Sequence, residues 1–587
     1  MDLILRRLDT LEQENAALKS RLRRVEGGHA AAPVSRAPAA APMGPPGATP
    51  VAMAAPYPIK APVAFLCDRY GPGFYSIPAL PGTNGCFKIG GYIRAQGAWG
   101  ASGDGIPLGA DQMAGQGRRT RTDTNDSNYD ARAVMSMDAR VATGWGELRG
   151  YARFGAEVNT PFGNAFNPNR NIDSVMFWDR GYIEYVGATI GKTRSLFDLF
   201  ALTEDYLTYG NPRASGDTDL YGVLLAGYTA RFGNGFSASL AVEDPNGHNR
   251  IGPLDTNSFV MGLGTLGSAN SQLGGQIVNQ RGYSVPDFVG NLRVDQSWGY
   301  AGISGAIHQV AAGYYSGLSS AGGGAACASG SCFGHPDDRY GWAFSGGGKA
   351  FVPGTQGDTF GVNAVVSEGA VGFATRGALW QLYGGSSPIG TTALRGTAGF
   401  GWASDGIYDN ITPNCAAGSN QCPSKIELTR AWSINAAYQH IWNLQWKTSA
   451  YGSFAAINYN QTATNLINQH LPSPPAGGTA CGVPVEGVVQ PPLGVGSGVG
   501  NSCSPNYSFW TVGSRTAYTP FVWLELGVDV SYTHLNTAYR GLGNPTALGV
   551  VNGVALPANG ARPAGLYTIA DQNVLSVLAR AQLSFNP

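Results

Sequence analysis

The feature that most constrains this chain is a strand that alternates strictly between charged and apolar side chains. In ELRGYARFGAEV (147–158), the odd positions include Glu147, Arg149, Arg153 and Glu157, whereas apolar residues fill most even positions. Successive side chains of a β-strand point to opposite faces, so one face of this strand is charged and the other apolar. Such a strand suits a soluble sheet with one wet face. It equally suits a membrane barrel whose charged face lines a water-filled lumen.

The same alternation recurs along most of the chain, in short segments rather than in long apolar runs. No run of 18 or more apolar residues is present, so the sequence predicts no transmembrane helix. A barrel leaves no such run, because its strands alternate. Further alternating segments lie at 87–99, 131–141, 288–296, 446–454, 522–532 and 575–585.

The connections between these segments are alternately short and long. Tight turns are predicted at 143–147, 232–236, 296–300, 441–445 and 518–522, and long connections near 100–130, 194–221, 245–284, 311–339, 459–506 and 534–565. An outer-membrane barrel has this asymmetry, with its short turns in the periplasm, whereas a soluble sandwich or propeller gives no reason for it. Tryptophans at three of the turns suit an aromatic girdle. We therefore predict an all-β, transmembrane, antiparallel up-and-down barrel of about 16 strands (16–18), with 366–392 as the ambiguous region.

The overall composition agrees with a chain of strands and turns. Charged residues make up only 13% of the 587 residues, beside 85 glycines and an aromatic fraction of 11%. Strand and turn formers dominate such a composition. The formal net charge is zero, so no bulk basic surface indicates a nucleic-acid partner.

The first 26 residues follow a helical period instead. In 1–26, apolar residues repeat with a heptad period, and flanking charges five residues apart are opposite in sign, as across a parallel coiled coil. The pattern predicts a parallel, trimeric coil, although a single amphipathic helix packed on its own domain fits the same residues. Nine prolines in 27–62 predict an extended spacer, and 63–587 would form the barrel. The predicted coil core is Ile4, Leu8, Leu11, Asn15, Leu18, Leu22 and Val25.

Eight cysteines fall into four pairs of near neighbours in loop-like sequence. An even count in such sequence favours local disulfides formed in an oxidising compartment. Metal ligation or free thiols are the less favoured alternative, because no CxxC occurs and the seven histidines are scattered. The predicted pairs are Cys67 with Cys86, Cys327 with Cys332, Cys415 with Cys422, and Cys481 with Cys503.

Several landmarks of the chain resemble those of a known family, the porins of alphaproteobacteria. In 67–95, two cysteines bracket a short loop of aromatic residues and glycines before the first strand. Similar family landmarks lie at 131–140, 181–198 and 285–310. The resemblance implies a sixteen-stranded trimeric barrel that passes ions and small hydrophilic solutes across the lipid of the Gram-negative outer membrane. Export there requires a secretion signal. Because residues 1–26 have no apolar signal core, we expect the start of this sequence to be internal or its signal lost.

Four arginines share the water-facing parity on neighbouring strands: Arg94, Arg132, Arg149 and Arg153. In porins the third loop, here about 194–221, usually folds into the lumen. The resemblance therefore implies a constriction where a basic wall faces acidic loop residues, an arrangement that sets ion preference. The alternative for any one arginine is an ordinary ion pair with a neighbouring carboxylate, namely Asp138, Glu147 or Glu157. The acidic candidates of the loop are Asp198, Glu204 and Asp205, with Asp217 and Asp219 beside them.

No catalytic motif is recognisable, so we predict a channel rather than an enzyme, without a cofactor. GATIGKT (187–193) has three residues between its glycines where a phosphate-binding loop needs four, and no GxSxG or HExxH occurs. His308 and His440 stand alone on predicted strands. The alternatives to a diffusion porin are a substrate-specific channel, or a structural tether or scaffold with a plugged barrel. The coil, suspended on the periplasmic side, would lock the trimer or contact peptidoglycan or other periplasmic components.

Overall fold

A computed structural model gives the structure of the protein. It describes residues 67–80, 83–99, 127–159, 173–202, 207–209, 218, 222–248, 252–256, 281–282, 284–313, 335–375, 381–383, 394–401, 403–409, 424–468, 504–538, 540, 554–556, 565–569 and 571–585. The chain divides into two compact units, Met1–Ala55 and Pro56–Pro587, and the described residues all belong to the second. The predicted coil (1–26) and spacer (27–62) lie outside the described residues.

Sixteen antiparallel strands form one closed wall, which confirms the predicted fold class at the lower end of the predicted strand number. Each strand pairs with its neighbours in chain order, and the last pairs with the first. The first eight strands are β1 Thr83–Trp99, β2 Ser127–Thr143, β3 Gly146–Asn159, β4 Asp173–Tyr185, β5 Ala188–Thr193, β6 Val223–Gly233, β7 Phe236–Glu243 and β8 Asp287–Gln296. The remaining eight are β9 Gly299–Val310, β10 Arg339–Phe351, β11 Thr359–Glu368, β12 Arg430–Ile441, β13 Trp446–Asn458, β14 Tyr507–Phe521, β15 Leu524–Asn536 and β16 Gln572–Phe585.

The barrel closes along β1, which two partners share. Residues Gly91–Trp99 of β1 pair with β16. The beginning of β1 pairs instead with the preceding strand Tyr75–Leu80, which folds back on it as a hairpin. At the junction, Gly91 has φ +153°, and a Cβ there would lie 2.1 Å from the Val134 carbonyl oxygen of β2. Only glycine fits so close an approach of two backbones.

The barrel has a turn end and a loop end. At the turn end, consecutive strands are joined by the short connections 144–145, 186–187, 234–235, 297–298, 352–358, 442–445 and 522–523. At the loop end the connections are 100–126, 160–172, 194–222, 244–286, 311–338, 369–429, 459–506 and 537–571. The predicted asymmetry is confirmed, although the connections 160–172, 186–187 and 352–358, and the part of 369–429 beyond the ambiguous region, were not predicted. The ambiguous region contributes only the end of β11 to the wall; within it, Gln381–Tyr383 pairs with Leu394–Gly401 in a small separate sheet that also includes Val554–Leu556 and Gly565–Ile569.

The two faces of the wall follow the predicted alternation. Apolar side chains such as Met135 and Leu240 are exposed on the outside, and the alternate positions, such as Arg94 and Arg149, are buried on the inside. This exposed apolar face suits contact with lipid. The predicted tryptophans of the turn end are exposed as well: Trp145, Trp298 and Trp442.

The segment before the barrel is fastened to β1 by a disulfide between Cys67 and Cys86, which confirms that predicted pair. The ring centres of Tyr70 and Phe74 lie 5.1 and 5.3 Å from the guanidinium carbon of Arg140, an inward residue of β2. These cation–π contacts hold the segment against the lumen wall at the turn end. The other three predicted cysteine pairs lie outside the described residues.

The connection 352–358 ends in a carboxylate that binds the neighbouring hairpin. Asp358 accepts hydrogen bonds from the Tyr438 hydroxyl (2.5 Å) and the Ile441 backbone N–H (2.9 Å), and its Oδ2 lies 2.7 Å from His440 Nδ1. The Tyr438 hydroxyl, then the backbone bond and His440, hold the pKa of the Asp358 carboxyl at about 2. Ion pairing and hydrogen bonding thus favour the charged form at this turn.

At the loop end, parts of three long connections pack into one unit, which we call the loop-end cap: 252–256, 369–375 with 403–409 and 424–429, and 459–468. Its three-stranded sheet consists of Leu254–Asp255, Gly406–Tyr408 and Glu427–Leu428. Its core is Tyr408 and Ile426 packed on Val310, the last residue of β9. The cap is therefore built on the wall itself.

Two short helices belong to the cap: α1 Val371–Ala374 and α2 Gln461–Asn468. Asn460 caps α2 by accepting from the Ala463 N–H at 2.8 Å, and Leu466 and Ile467 form its buried face. Elsewhere in the described part of the chain, two 3₁₀ turns lie at Asp68–Tyr70 and Pro245–His248. Among the described residues, none of the helices is long and apolar enough to cross a membrane.

Candidate functional site: the lumen and its third loop

The third loop, which follows β5, leaves the wall and enters the lumen at once. Ser195 Oγ donates to Glu243 Oε2 at 2.7 Å, and the Leu196 backbone N–H donates to Glu243 Oε1 at 2.9 Å. Glu243 is the buried last residue of β7. One inward carboxylate on β7 therefore holds the start of the loop, two strands away from β5, where the loop begins.

The next residues of the loop run across β8, β9 and β11. Asn291 Nδ2 donates to the Leu196 carbonyl at 2.6 Å, and Ser304 Oγ donates to the Phe197 carbonyl at 2.7 Å. Phe200 packs directly over Gly361 of β11, where a Cβ would lie 2.3 Å from the ring. Polar side chains of the wall thus satisfy the loop backbone, and a glycine makes room for its aromatic ring.

The far part of the loop is bound on the opposite side of the barrel. Asp529 of β15 accepts from Thr208 Oγ1 (2.7 Å), from the Tyr209 backbone N–H (2.5 Å) and from the Tyr451 hydroxyl of β13 (2.6 Å). The Tyr209 hydroxyl donates to Glu525 at 2.8 Å, and Arg580 Nη2 donates to the Tyr209 carbonyl at 3.2 Å. The loop therefore spans the lumen from β5 to β15 and β16, and follows the arc of wall that begins at β7.

The remaining arc, β1 to β4, carries the four predicted arginines. Arg94 and Arg132 are directly opposite each other in the β1–β2 register. Arg153 pairs with Ser136 and Arg149 with Arg140 in the β2–β3 register, four and eight residues from Arg132 along β2. At about 3.3 Å per residue, Arg149 lies roughly 26 Å along the strand from Arg132. The four arginines therefore share one sector of the wall but not one height.

Each of these arginines lies beside a carboxylate of the wall. Arg132 donates to Glu157, and three further arginines are paired at 3.0 to 3.5 Å. Two contacts, Arg132 with Glu157 and Arg149 with Asp138, involve carboxylates that the predicted alternative named, whereas the other partner carboxylates were not among them. The three further pairs are Arg94 with Asp130, Arg153 with Asp179, and Arg149 with both Asp138 and Glu184.

In these ion pairs, which partner is more exposed to the lumen depends on how far the pair lies from the turn end of the barrel. The side chain of Arg153 is 26% exposed and that of Asp179 only 9%, and Arg94 and Arg132 are likewise more exposed than their partners. Near the turn end the order is reversed, because Arg149 is 7% exposed and Glu184 is 21% exposed. Water in the lumen therefore meets guanidinium groups in the middle of this wall and carboxylates nearer the turn end.

The predicted acidic residues of the loop are only partly described. The side chain of Asp198 is 1% exposed, accepts hydrogen bonds from the Thr218 backbone N–H and hydroxyl, and lies 3.8 Å from Arg194 Nε. These contacts bind the two ends of the loop to each other. Glu204, Asp205, Asp217 and Asp219 lie outside the described residues.

No local sequence pattern marks the residues that hold the loop. Glu243, Asp529 and Tyr209 do so, and Arg515 is fully buried with its guanidinium carbon 5.2 Å from the Tyr209 ring centre. The alternation in their strands places Asp529 and Arg580 on the inner face of the barrel. Alternation alone does not show which of the inward residues contact the loop. Among the described residues, no group of three or more histidine, cysteine or acidic side chains is placed to hold a metal ion.

A closed sixteen-stranded barrel, with an apolar outside and a polar lumen crossed by its third loop, defines an integral β-barrel of the outer membrane. Sequence comparison makes the assignment more specific: residues 56–561 match the model of the porin subfamily, and the chain belongs to that family.

Individual relatives are more distant. The chain is 26% identical over 260 residues to Porin Omp2b of Brucella suis, an alignment that covers 42% of this chain and 58% of that relative. Values for Omp2b of Brucella abortus strain 2308 are similar, 26% over 261 residues, with 42% and 57% covered. The chain thus spans somewhat more than half the length of these relatives.

Comparison with solved structures returns outer-membrane proteins at low similarity. OmpT of Vibrio cholerae superposes with a TM-score of 0.38 at 8% identity, over 85% of this chain and 98% of that chain. An anion-selective porin from Comamonas acidovorans superposes with a TM-score of 0.36 at 10% identity, over 85% of this chain and 100% of that chain.

Proposed function

We propose that the barrel is a water-filled channel for passive diffusion of ions and small hydrophilic solutes across the outer membrane. The observation that carries the proposal is the path of the third loop, which crosses the lumen and is hydrogen-bonded along the arc from β7 to β16. A loop held in this way narrows the lumen without dividing it. Solutes would pass between the loop and the arc formed by β1 to β4.

The proposed constriction is charge-segregated. Arg94, Arg132, Arg149 and Arg153 would supply its basic wall, and Glu204 and Asp205 its acidic loop. The predicted Asp198 is buried and binds the two ends of the loop to each other instead. The arginines in the middle of the wall are more exposed than their partner carboxylates, which supports a positive face at that height. A guanidinium stays charged at every physiological pH, so this field would not vary with conditions.

Reversal potentials in a salt gradient across a planar bilayer test this arrangement. Arg132→Gln and Arg153→Gln each leave a carboxylate without its cation, so both variants should shift the reversal potential towards cation preference. Arg149→Gln, nearer the turn end, should shift it less. Arg430→Gln is the matched control, because Arg430 is 73% exposed at the loop end of β12. Equal reversal potentials in all four variants and the wild type would remove the arginines from the constriction.

The assembly is proposed to be a homotrimer, with the turn end in the periplasm. The heptad pattern of 1–26 supports a parallel three-stranded coil, one strand from each subunit, carried on the spacer 27–62. The coil would lock the trimer or contact peptidoglycan or other periplasmic components. Deletion of 1–62 should lower the heat resistance of the trimer or its association with the cell wall. Unchanged behaviour in both assays would contradict this role.

A substrate-specific or plugged barrel is the second candidate, and the loop-end cap favours it. The cap has its own core on the end of β9, and it would narrow the opening beyond what the third loop does. Planar-bilayer recordings separate the candidates. A diffusion porin gives stepwise openings without saturation, a specific channel gives openings that one solute blocks saturably, and a plugged scaffold gives none.

A further inference from the structure

Three buried ionisable side chains meet where the loop-end cap joins the wall. His308 of β9 has its Nδ1 2.6 Å from Asp287 Oδ1 of β8 and its Nε2 3.5 Å from Asp405 Oδ2 of the cap. None of the three side chains is more than 2% exposed. Bulk water therefore does not solvate their charges, which must be compensated by groups of the protein.

Asp405 also binds two pieces of the cap to each other. Its Oδ1 accepts from the Val371 backbone N–H at 2.7 Å, at the start of α1, and its carbonyl accepts from the Thr429 N–H at 3.1 Å. Two separate pieces of the cap thus converge on the residue that faces His308. A change in the contact between His308 and Asp405 acts on the whole cap.

The cap also touches the third loop at this point. Phe373 of α1 packs edge-on against Phe197 of the third loop, with ring centres 4.8 Å apart, and lies 6.3 Å from the His308 ring. The two obstructions of the lumen, the cap and the third loop, therefore share a contact beside the histidine. Movement of α1 would alter both.

The proton count decides whether the contact forms. One proton is needed between Nδ1 and Asp287, and a second between Nε2 and Asp405, whichever atom of each pair holds it. Loss of the second proton leaves a buried carboxylate facing a ring nitrogen that can only accept, which is unfavourable for both. The other ionisable groups facing this site from adjoining elements are Glu243 on β7, Asp338 and Arg339 before and on β10, and Tyr459 after β13.

These neighbours do not supply the missing proton. Glu243 already accepts from Ser195 and Leu196, and Asp338 accepts from Gln309 and Arg281. Arg339 donates to the Ile426 carbonyl of the cap at 3.5 Å. Burial, and then Asp405, keep the pKa of the Tyr459 hydroxyl well above its usual range, so it stays neutral. The contact between His308 and Asp405 is thus the titrating element.

We propose that His308 is a pH-sensitive latch that holds the loop-end cap closed over the channel. With the shared proton present, the cap is bound to β9 and α1 rests on the third loop. When alkaline pH removes that proton, Asp405 separates from His308 and the cap opens. The inference rests on the proposed channel function and adds its regulation.

Single-channel conductance between about pH 6 and about pH 10 tests the latch. Because the cap and the third loop would be two resistances in series, release of the cap should raise the wild-type conductance about two-fold at the alkaline end. His308→Asn cannot reach both carboxylates and should show the larger conductance at every pH. Asp405→Asn replaces the titrating proton by an amide N–H that neutral His308 can accept, so it should stay at the smaller conductance throughout.

His440→Asn is the matched control, because it removes another histidine paired with an aspartate, but at the turn end. It should keep the wild-type response to pH. A wild-type conductance that does not change with pH, or a His308→Asn variant that keeps the wild-type response, would overturn the latch. A wild type without stepwise conductance at any pH would overturn the channel function itself, which separates the two failures. Should His308→Asn fail to fold, Asp405→Asn provides the test. Loss of the conductance response to pH in Asp405→Asn supports the latch, and its retention overturns the latch.

Discussion

The attachment of the third loop to Asp529 offers the sharpest test of the proposed constriction. Two of the donors to this buried carboxylate, Thr208 Oγ1 and the Tyr209 N–H, belong to the loop, and the third, the Tyr451 hydroxyl, belongs to the wall. Asp529→Ala removes all three hydrogen bonds at once. Because the wall keeps Tyr451 in place, only the two loop bonds bear on the position of the loop.

The size of the effect follows from those two bonds. A hydrogen bond to a charged group contributes about 1.5–3 kcal/mol, so the loop should lose roughly 3–6 kcal/mol of attachment. Since about 1.4 kcal/mol is a factor of ten in an equilibrium constant, even the lower value changes the ratio of attached to detached loop by more than about 100-fold. Glu525 and Arg580 still bind Tyr209, so the loop should fluctuate at its far end rather than leave the lumen.

Planar-bilayer recordings would show this as a larger mean conductance with increased open-channel noise. Thr208→Val, which removes one of the two loop bonds, should give an intermediate effect. Asp295→Ala is the control, because Asp295 is 46% exposed near the turn end and pairs with Arg293 instead of the loop. Conductance and noise in Asp529→Ala equal to those of the wild type would refute the idea that the loop, held at this point, limits the channel.

Three further predictions concern the stability of the barrel. Cys67→Ser should lower the free energy of unfolding by about 2–4 kcal/mol, seen as a lower melting temperature in detergent. Because the other predicted cysteine pairs are also open to reduction, reductant should lower the melting temperature more in the wild type than in the variant. Because the pKa of Asp358 is lowered, its contribution to the stability of the fold is full above about pH 4 and is lost as pH falls through about 2. The melting temperatures of Asp358→Asn and the wild type should therefore differ at pH 5, about one unit above the usual carboxyl range, and converge near pH 2. Gly91→Ala should reduce the yield of folded barrel on refolding gels, whereas Gly150→Ala, where nothing lies within 4 Å, should not.

Local sequence predicted the wall well and the contents of the lumen poorly. The alternation in 147–158 correctly identified β3 and its two faces, because period-two patterning is a property of neighbouring residues. The turn at 186–187 was missed because Val186, with φ +49°, takes a conformation usually left to glycine or asparagine, so no turn signal marks it. Strand β5, which follows, was consequently not separated from its neighbour.

The path of the third loop could not be read from the sequence. Its anchors join residues such as Tyr209 and Asp529, which are 320 positions apart, and only the closed barrel brings them together. The same holds for the contact of His308 with Asp405, since nothing near either residue marks the other. Long connections rich in glycine and serine were correctly predicted as loops, but that composition conceals the packed core of the loop-end cap.

The shared edge of β1 has a consequence for how the chain assembles. The hairpin formed by Tyr75–Leu80 is local and can form early, whereas the pairing of β1 with β16 joins residues nearly 500 positions apart and must come late. Until then, the beginning of this edge (Thr83–Phe87) is already covered, and Gly91–Trp99 presents the unpaired backbone groups. A partly covered strand edge leaves fewer backbone groups with which strands of other chains can pair before the barrel closes. The hairpin therefore protects the nascent barrel from aggregation.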